Sequence, residues 1–154
     1  MPVPEAEPHV GDLRLRHDPM AALGVPAHVT VLFPFAPPER VDEPEVAELA
    51  AAHAPFRFEL AEVRRFGDDV TYLAPEPSAP FSALTEAAAA RWPAYPPYEG
   101  VHEVVIPHLT IALGVVDVEL DVPISCAARE LDLLEESPDG RWSTRARYAL
   151  GGVA

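Results

Sequence analysis

Three residue types are missing from this 154-residue chain, which contains no lysine, no asparagine and no glutamine. The lack of lysine excludes a Walker-type phosphate loop and Schiff-base chemistry, and the lack of asparagine removes an amide donor and any glycan acceptor. A single cysteine, Cys126, excludes an internal disulfide and a cysteine-based zinc site, and makes a reducing cytoplasm the expected compartment. No apolar run approaches the roughly 20 residues that a membrane span needs. The opening MPVPEAEPHV is too acidic and too rich in proline for a signal peptide. Positive charge is also scarce: eleven basic side chains stand against twenty-five acidic ones, a net charge of −14. Such a surface repels a long polyphosphate, so no long nucleic-acid groove is expected, whereas a small phosphorylated ligand in a local pocket is compatible. The glycines form no dinucleotide fingerprint, and no G-x-S-x-G marks a nucleophile elbow.

The chain does have 19 prolines and a hydrophobic content of 49%, enough for one globular domain with its own core. The prolines punctuate the sequence, and elements are read between them. His9 to Leu15 alternates weakly and reads as a first strand. Ala27 to Phe35 (AHVTVLFPF) is β-branched and aromatic, and reads as a second strand. Asp42 to Ala54 has an N-cap Asp, Pro44 in its first turn, and Val46, Leu49, Ala50 and His53 at helical spacing. Pro55 to Phe66 resumes a period of two, with Val70 to Ala74 as its hairpin partner across Gly67–Asp69. Ser78 opens a helix to about Trp92, with Phe81, Leu84, Ala87, Ala88 and Arg91 on one face. PAYPPYEG (93–100) reads as an ordered loop and Val104 to Leu113 as a strand interrupted by Pro107. Ile124 to Glu135 and Trp142 to Leu150 flank the turn SPDGR.

The order of elements repeats, roughly over 20–75 and 100–150, within a single domain spanning 1–154. Pro55 follows His28 by 27 residues, whereas Pro123 follows His108 by only 15, so the second copy is expected to have a shortened helix or none. The expected class is α+β: two pseudo-symmetric lobes, each an antiparallel sheet with a helix on its outer face.

One tetrapeptide marks the leading strand of each half: His28-Val29-Thr30-Val31 and His108-Leu109-Thr110-Ile111. Strand alternation places His and Thr on one side and the aliphatic pair on the other. A threonine hydroxyl can donate to a phosphate oxygen, and histidine changes charge near neutrality. With this composition, roughly 0.2 His-x-Thr triplets are expected by chance, so two in matched contexts carry weight that one would not. An isolated strand histidine is usually structural, and the pairing argues otherwise.

Paired H-x-T-x motifs 80 residues apart, with the flanks AHVTVLFPF and PHLTIALG, resemble the 2H phosphoesterase superfamily and its 2′-5′ RNA ligase-like branch. The resemblance covers most of the chain. It implies a bilobal fold with the motifs facing a central cleft, catalysis by His28, Thr30, His108 and Thr110, and 2′,3′-cyclic phosphodiesterase chemistry on RNA termini or small nucleotides. In such chemistry one neutral histidine takes a proton from water and one charged histidine protonates the leaving oxygen, while the threonines stabilise the equatorial oxygens. No cofactor and no metal are required, and a monomer is expected. Two alternatives stay open: RNA end-joining through a 2′-5′ linkage, and a module that binds a phosphorylated ligand without turning it over.

Tyr95 and Tyr98 are candidates to stack on a nucleobase or to pack their own loop. Arg14 with Arg16 on the first strand, and Arg141, Arg145 and Arg147 on the last, are candidates for a local positive patch or for pairs with the many carboxylates. Arg14 and Arg145 are retained as candidate substrate contacts. His102-Glu103 does not open a zincin motif, because position 106 is Ile and Pro107 breaks any helix there.

Overall fold

The computed structural model describes residues 1–151. The first helix, α1 (Glu7–His17), occupies the segment whose weak alternation predicted a strand. The determining period is four: Ala6, Val10 and Arg14 are buried along one face, while Leu15 is exposed. Glu7 in the first turn and a proline in the first two positions suit a helix start. A short helix α2 (Pro19–Ala22) follows, capped by the Asp18 carboxylate, which accepts from the Met20 N–H. Helix α3 (Glu43–Ala51) starts where expected. The Asp42 side chain accepts from the Glu45 N–H, and Val46, Leu49 and Ala50 are buried. It ends three residues before Ala54. Helix α4 (Ala79–Arg91) buries Phe81, Leu84, Thr85 and Ala88; Arg91, exposed at the last turn, reaches Glu48.

Strand β1 (Phe56–Phe66) carries the period-two pattern, with Phe58 and Leu60 turned into the core. It turns at Gly67 (φ +53°) into β2 (Val70–Glu76). Strand β3 (Leu109–Leu113) pairs with β2, and β4 (Ile124–Ala128) with β1, giving an antiparallel sheet in the order β3-β2-β1-β4. Strands β5 (Glu130–Glu136) and β6 (Trp142–Ala149) form a separate two-stranded sheet around the SPDGR turn. The Phe81 ring of α4 stands edge-on to Phe56 and Phe58, at 4.9 Å from each centroid, and so seats that helix on the sheet.

Three further expected strands are corrected. The run from Ile124 to Glu135 is two strands, because β4 joins the first sheet and β5 the second. Val104 to Pro107 lies outside β3, with Val104 and Ile106 exposed, since proline supplies no ladder donor. Ala27 to Phe35 forms no ladder strand: it makes one antiparallel bridge, His28 to Pro2, and then bends. Pro34, Pro37 and Pro38 have no N–H with which to extend the pairing. The stretch between β3 and β4 holds no helix, in keeping with its shortness. Among the described residues no helix is long and apolar enough to cross a membrane.

Candidate active site

The first motif is held against the amino-terminal segment. The Val3 N–H donates to the Ala27 carbonyl and the Val29 N–H to the Met1 carbonyl, both at 2.9 Å. Val29 is fully buried, while His28 and Thr30 share the other side, with 3.1 Å between Nε2 and Oγ1. From α4, the Thr85 hydroxyl donates to the Val31 carbonyl at 2.9 Å and fixes the exit of the motif. In the second motif, His108 sits immediately before β3, Leu109 and Ile111 are fully buried, and Thr110 lies opposite Tyr72 of β2.

Both histidines are anchored identically. His28 Nδ1 lies 2.8 Å from the Pro26 carbonyl, and His108 Nδ1 lies 2.8 Å from the Ile106 carbonyl, in each case two residues upstream. A carbonyl oxygen only accepts, so each Nδ1 carries the hydrogen and each Nε2 is left for proton transfer. In the neutral imidazole, His28 Nε2 then accepts from the Thr30 hydroxyl.

The two rings differ in environment. Burial pushes the pKa of His28 down to about 4; the charges of the Met1 α-amino group, Arg14 and His108 add to this, and the hydrogen bond to Pro26 opposes it. His108 is lowered by burial, with the Ile106 carbonyl opposing. Rings surround His108: Phe66 edge-on at 5.0 Å, Tyr72 at 5.6 Å and Tyr98 at 6.5 Å between centroids. Phe66 and Tyr72 are stacked on each other at 4.2 Å. They escaped the sequence reading because they lie some 40 residues from His108, and only the β2–β3 register brings them beside it.

Tyr98 touches both motifs. Its N–H donates to the Phe33 carbonyl at 2.6 Å, just beyond the first motif, while its ring lies beside His108. Burial raises its phenol pKa, and a hydrogen bond with Thr30 opposes this. Tyr98 and Glu99 have φ of +49° and +57°, a left-handed conformation that non-glycine residues rarely adopt. The surrounding loop thus holds Tyr98 in a strained pose at the junction of the two motifs.

The other candidates fall elsewhere. Tyr95 packs edge-on to Phe35 at 5.8 Å. Arg14 and Arg16 share no strand face, because the segment is helical; Arg14 is 2% exposed and binds Asp18 at 3.1 Å and the Val25 carbonyl, behind His28 rather than on an open surface. Arg141 lies outside β6, in the turn. Arg145 clamps Glu43 and the Pro38 carbonyl, both at 2.9 Å, and Arg147 approaches Asp132 at 3.5 Å. The arginines of β6 therefore pair with carboxylates. Among the described residues no three His, Cys, Asp or Glu side chains are grouped to hold a metal ion. A cavity of about 700 Å³ opens beside the first motif, with His28, Thr30, Phe33, Phe35 and Trp142 in its lining.

Two imidazoles anchored through Nδ1, with Nε2 of His28 beside the Thr30 hydroxyl, can perform paired proton transfer at a phosphorus centre. Known proteins share the fold. Solved structures similar to this chain include E. coli LigT complexed with 3′-AMP, at TM-score 0.68 and 20% identity over 96% of this chain and 92% of the other. Another is described as a phosphoesterase, at TM-score 0.66 and 18% identity over 99% and 95%. A third is TT0787 of Thermus thermophilus, at TM-score 0.60 and 20% identity over 83% and 80%. No curated protein matches the chain. The model of the 2′-5′ RNA ligase superfamily matches residues 2–145, a span that holds both H-x-T-x motifs, and the chain therefore belongs to that family of 2H phosphoesterases.

Proposed function

We propose that the protein is a phosphodiesterase that opens a 2′,3′-cyclic phosphate, on a nucleotide or an RNA end, to a 2′-phosphate. The observation that carries this reading is the shared anchoring of His28 and His108 through Nδ1, which leaves two Nε2 atoms of fixed tautomer. His28, with the pKa near 4, is the neutral partner and acts as base. Its Nε2 takes a proton from water as the water oxygen bonds to phosphorus. The ring-lined His108 is the acid, and its Nε2–H protonates O3′ as the P–O3′ bond breaks. The hydroxyls of Thr30 and Thr110 donate to the equatorial oxygens, where charge accumulates. Thr30 must turn from His28 to the phosphate when substrate arrives.

The anchoring shared by the motifs also supports an internal repeat over roughly 20–75 and 100–150, the two copies facing one cleft. The net charge of −14 supports a small ligand or a single RNA terminus over a long strand, and hydrolysis over end ligation. A monomer acting in the cytoplasm fits the single, buried Cys126.

The test is incubation of the protein, in excess chelator, with the four nucleoside 2′,3′-cyclic monophosphates, with chromatography that resolves 2′- from 3′-phosphates. Formation of the 2′-phosphate, reduced by at least about a hundredfold in His28→Ala and in His108→Ala, is the expected result. Near-normal turnover in either variant would falsify the mechanism.

A further inference from the structure

The residue before the histidine differs between the two motifs: Ala27 precedes His28, whereas Pro107 precedes His108. Each histidine bonds through Nδ1 to the carbonyl two residues upstream, at 2.8 Å, so each anchor is one half of a peptide group. In the first motif the other half is the Ala27 N–H. In the second it is the Pro107 nitrogen, which carries no hydrogen. A third group can therefore act on the anchoring peptide of His28 and not, by the same route, on that of His108.

That third group is present. The Ala27 N–H donates to Oε1 of Glu7 at 2.6 Å, a short bond of the charge-assisted kind. Carboxylate, peptide and imidazole are joined in series, because the carbonyl of the same peptide accepts from His28 Nδ1. Glu7 is half-buried in the first turn of α1. Two turns on, Arg14 reaches from the same helix to the neighbouring Val25 carbonyl at 3.1 Å, and Asp18 holds its guanidinium at 3.1 Å. Helix α1 thus fixes the peptide groups on both sides of Pro26. The anchor of His108 lies instead in the stretch before β3, where Ile106 is 47% exposed.

We infer that Glu7 is a positioning residue for the first-motif histidine, the outer member of a Glu7–peptide–His28 relay that holds the base in one tautomer and one ring orientation. This rests on the cyclic-phosphate reading, in which His28 takes the proton from water. A catalytic base is commonly oriented by a third group, and here a peptide stands between the two. A hydrogen bond given by the N–H strengthens the carbonyl as an acceptor by roughly 10–30%. That polarisation is modest, so the larger share of the effect is geometric: with its N–H tied, the Pro26–Ala27 peptide cannot swing its carbonyl away from Nδ1. The charges that act on His28 through space are the basic Met1 amine, Arg14 and His108, while Asp132 and Glu130 act on the Met1 amine. Glu7 reaches the ring through hydrogen bonds. A carboxylate behind a ring helps it accept a proton, which serves the base and hinders an acid.

The test is NMR of the full chain with isotope-labelled histidine, reading both ring nitrogens of His28 and His108 at neutral pH. The rings are assigned from His28→Ala and His108→Ala, and turnover of cytidine 2′,3′-cyclic phosphate is followed alongside. In the wild type the hydrogen is expected on Nδ1 of both rings. In Glu7→Ala the Nε2–H tautomer of His28 is expected to appear with His108 unchanged, and kcat to fall about 10–100-fold while KM stays within about twofold. In Glu7→Gln, whose side-chain carbonyl still accepts from the Ala27 N–H, a smaller change confined to His28 is expected. That variant decides the matter should Glu7→Ala not fold. Unchanged His28 nitrogens in a folded variant, or equal changes in both rings, would overturn the assignment. A change at His28 in a protein that turns over no cyclic phosphate sinks the hydrolase and spares the relay; turnover with His28 unmoved does the reverse.

Discussion

The buried first-motif histidine makes a thermodynamic prediction that needs no substrate. In the unfolded chain His28 has a pKa near 6.5, whereas in the folded protein it is pushed down to about 4. As pH falls through 6.5 the unfolded state gains a proton that the folded state refuses, so stability falls with pH and the decline from this group ends below about 4. At about 1.4 kcal/mol per pKa unit, the total loss from this residue is on the order of 3 kcal/mol, most of it between pH 6.5 and 4.5. Urea unfolding of wild type and His28→Ala at half-unit pH intervals isolates the effect, because the carboxylates titrate alike in both proteins and cancel in the difference. The variant is expected to lose about 2–3 kcal/mol less than wild type between pH 6.5 and 4.5. Burial is the largest cause, and the charges that add to it include the buried Arg14 and Met1 amine, so most of the difference should persist in 0.5 M salt. Parallel stability curves for the two proteins would refute the argument that His28 is held neutral by burial.

The remaining predictions concern rate and packing. The pH profile of kcat/KM should peak between about 4 and the lowered pKa of His108, below 6.5, falling about tenfold per unit on the alkaline side; a maximum above pH 7 would contradict the assigned roles. Thr30→Val and Thr110→Val should each reduce kcat by about 10²–10³ with unchanged circular dichroism, as expected for donors to a developing oxyanion. Arg14→Met leaves Asp18 buried without its partner and should lower stability by about 3–5 kcal/mol in chemical denaturation. Phe81→Ala removes the ring that seats α4 on the sheet and should cost about 3–5 kcal/mol, read in the same assay.

What the sequence determined by itself was the pair of H-x-T-x motifs and the elements with strong local signals. Asp42 and Pro44 specify the start of α3 because capping acts within one turn, and the Phe56–Phe58–Leu60 alternation specifies β1 because side-chain direction follows from backbone pleat. The tertiary structure decided the rest. Residues 9–15 have a weak period of either kind, and burial of Val10 and Arg14 on one face settles them as helix. The segment Ala27–Phe35 has strand-like composition, yet its one β-bridge is to Pro2 in the chain's first three residues, and its prolines end the pairing. The division of the Ile124–Glu135 run between two sheets is a choice of partners made far away in sequence. At the site, a histidine's neighbours two residues away were legible, whereas the Phe66–Tyr72–Tyr98 surround of His108, the Tyr98 link to Thr30 and the Glu7 bond to the Ala27 N–H were not. These arise from packing between segments far apart in the chain, and local periodicity has no reach over that distance.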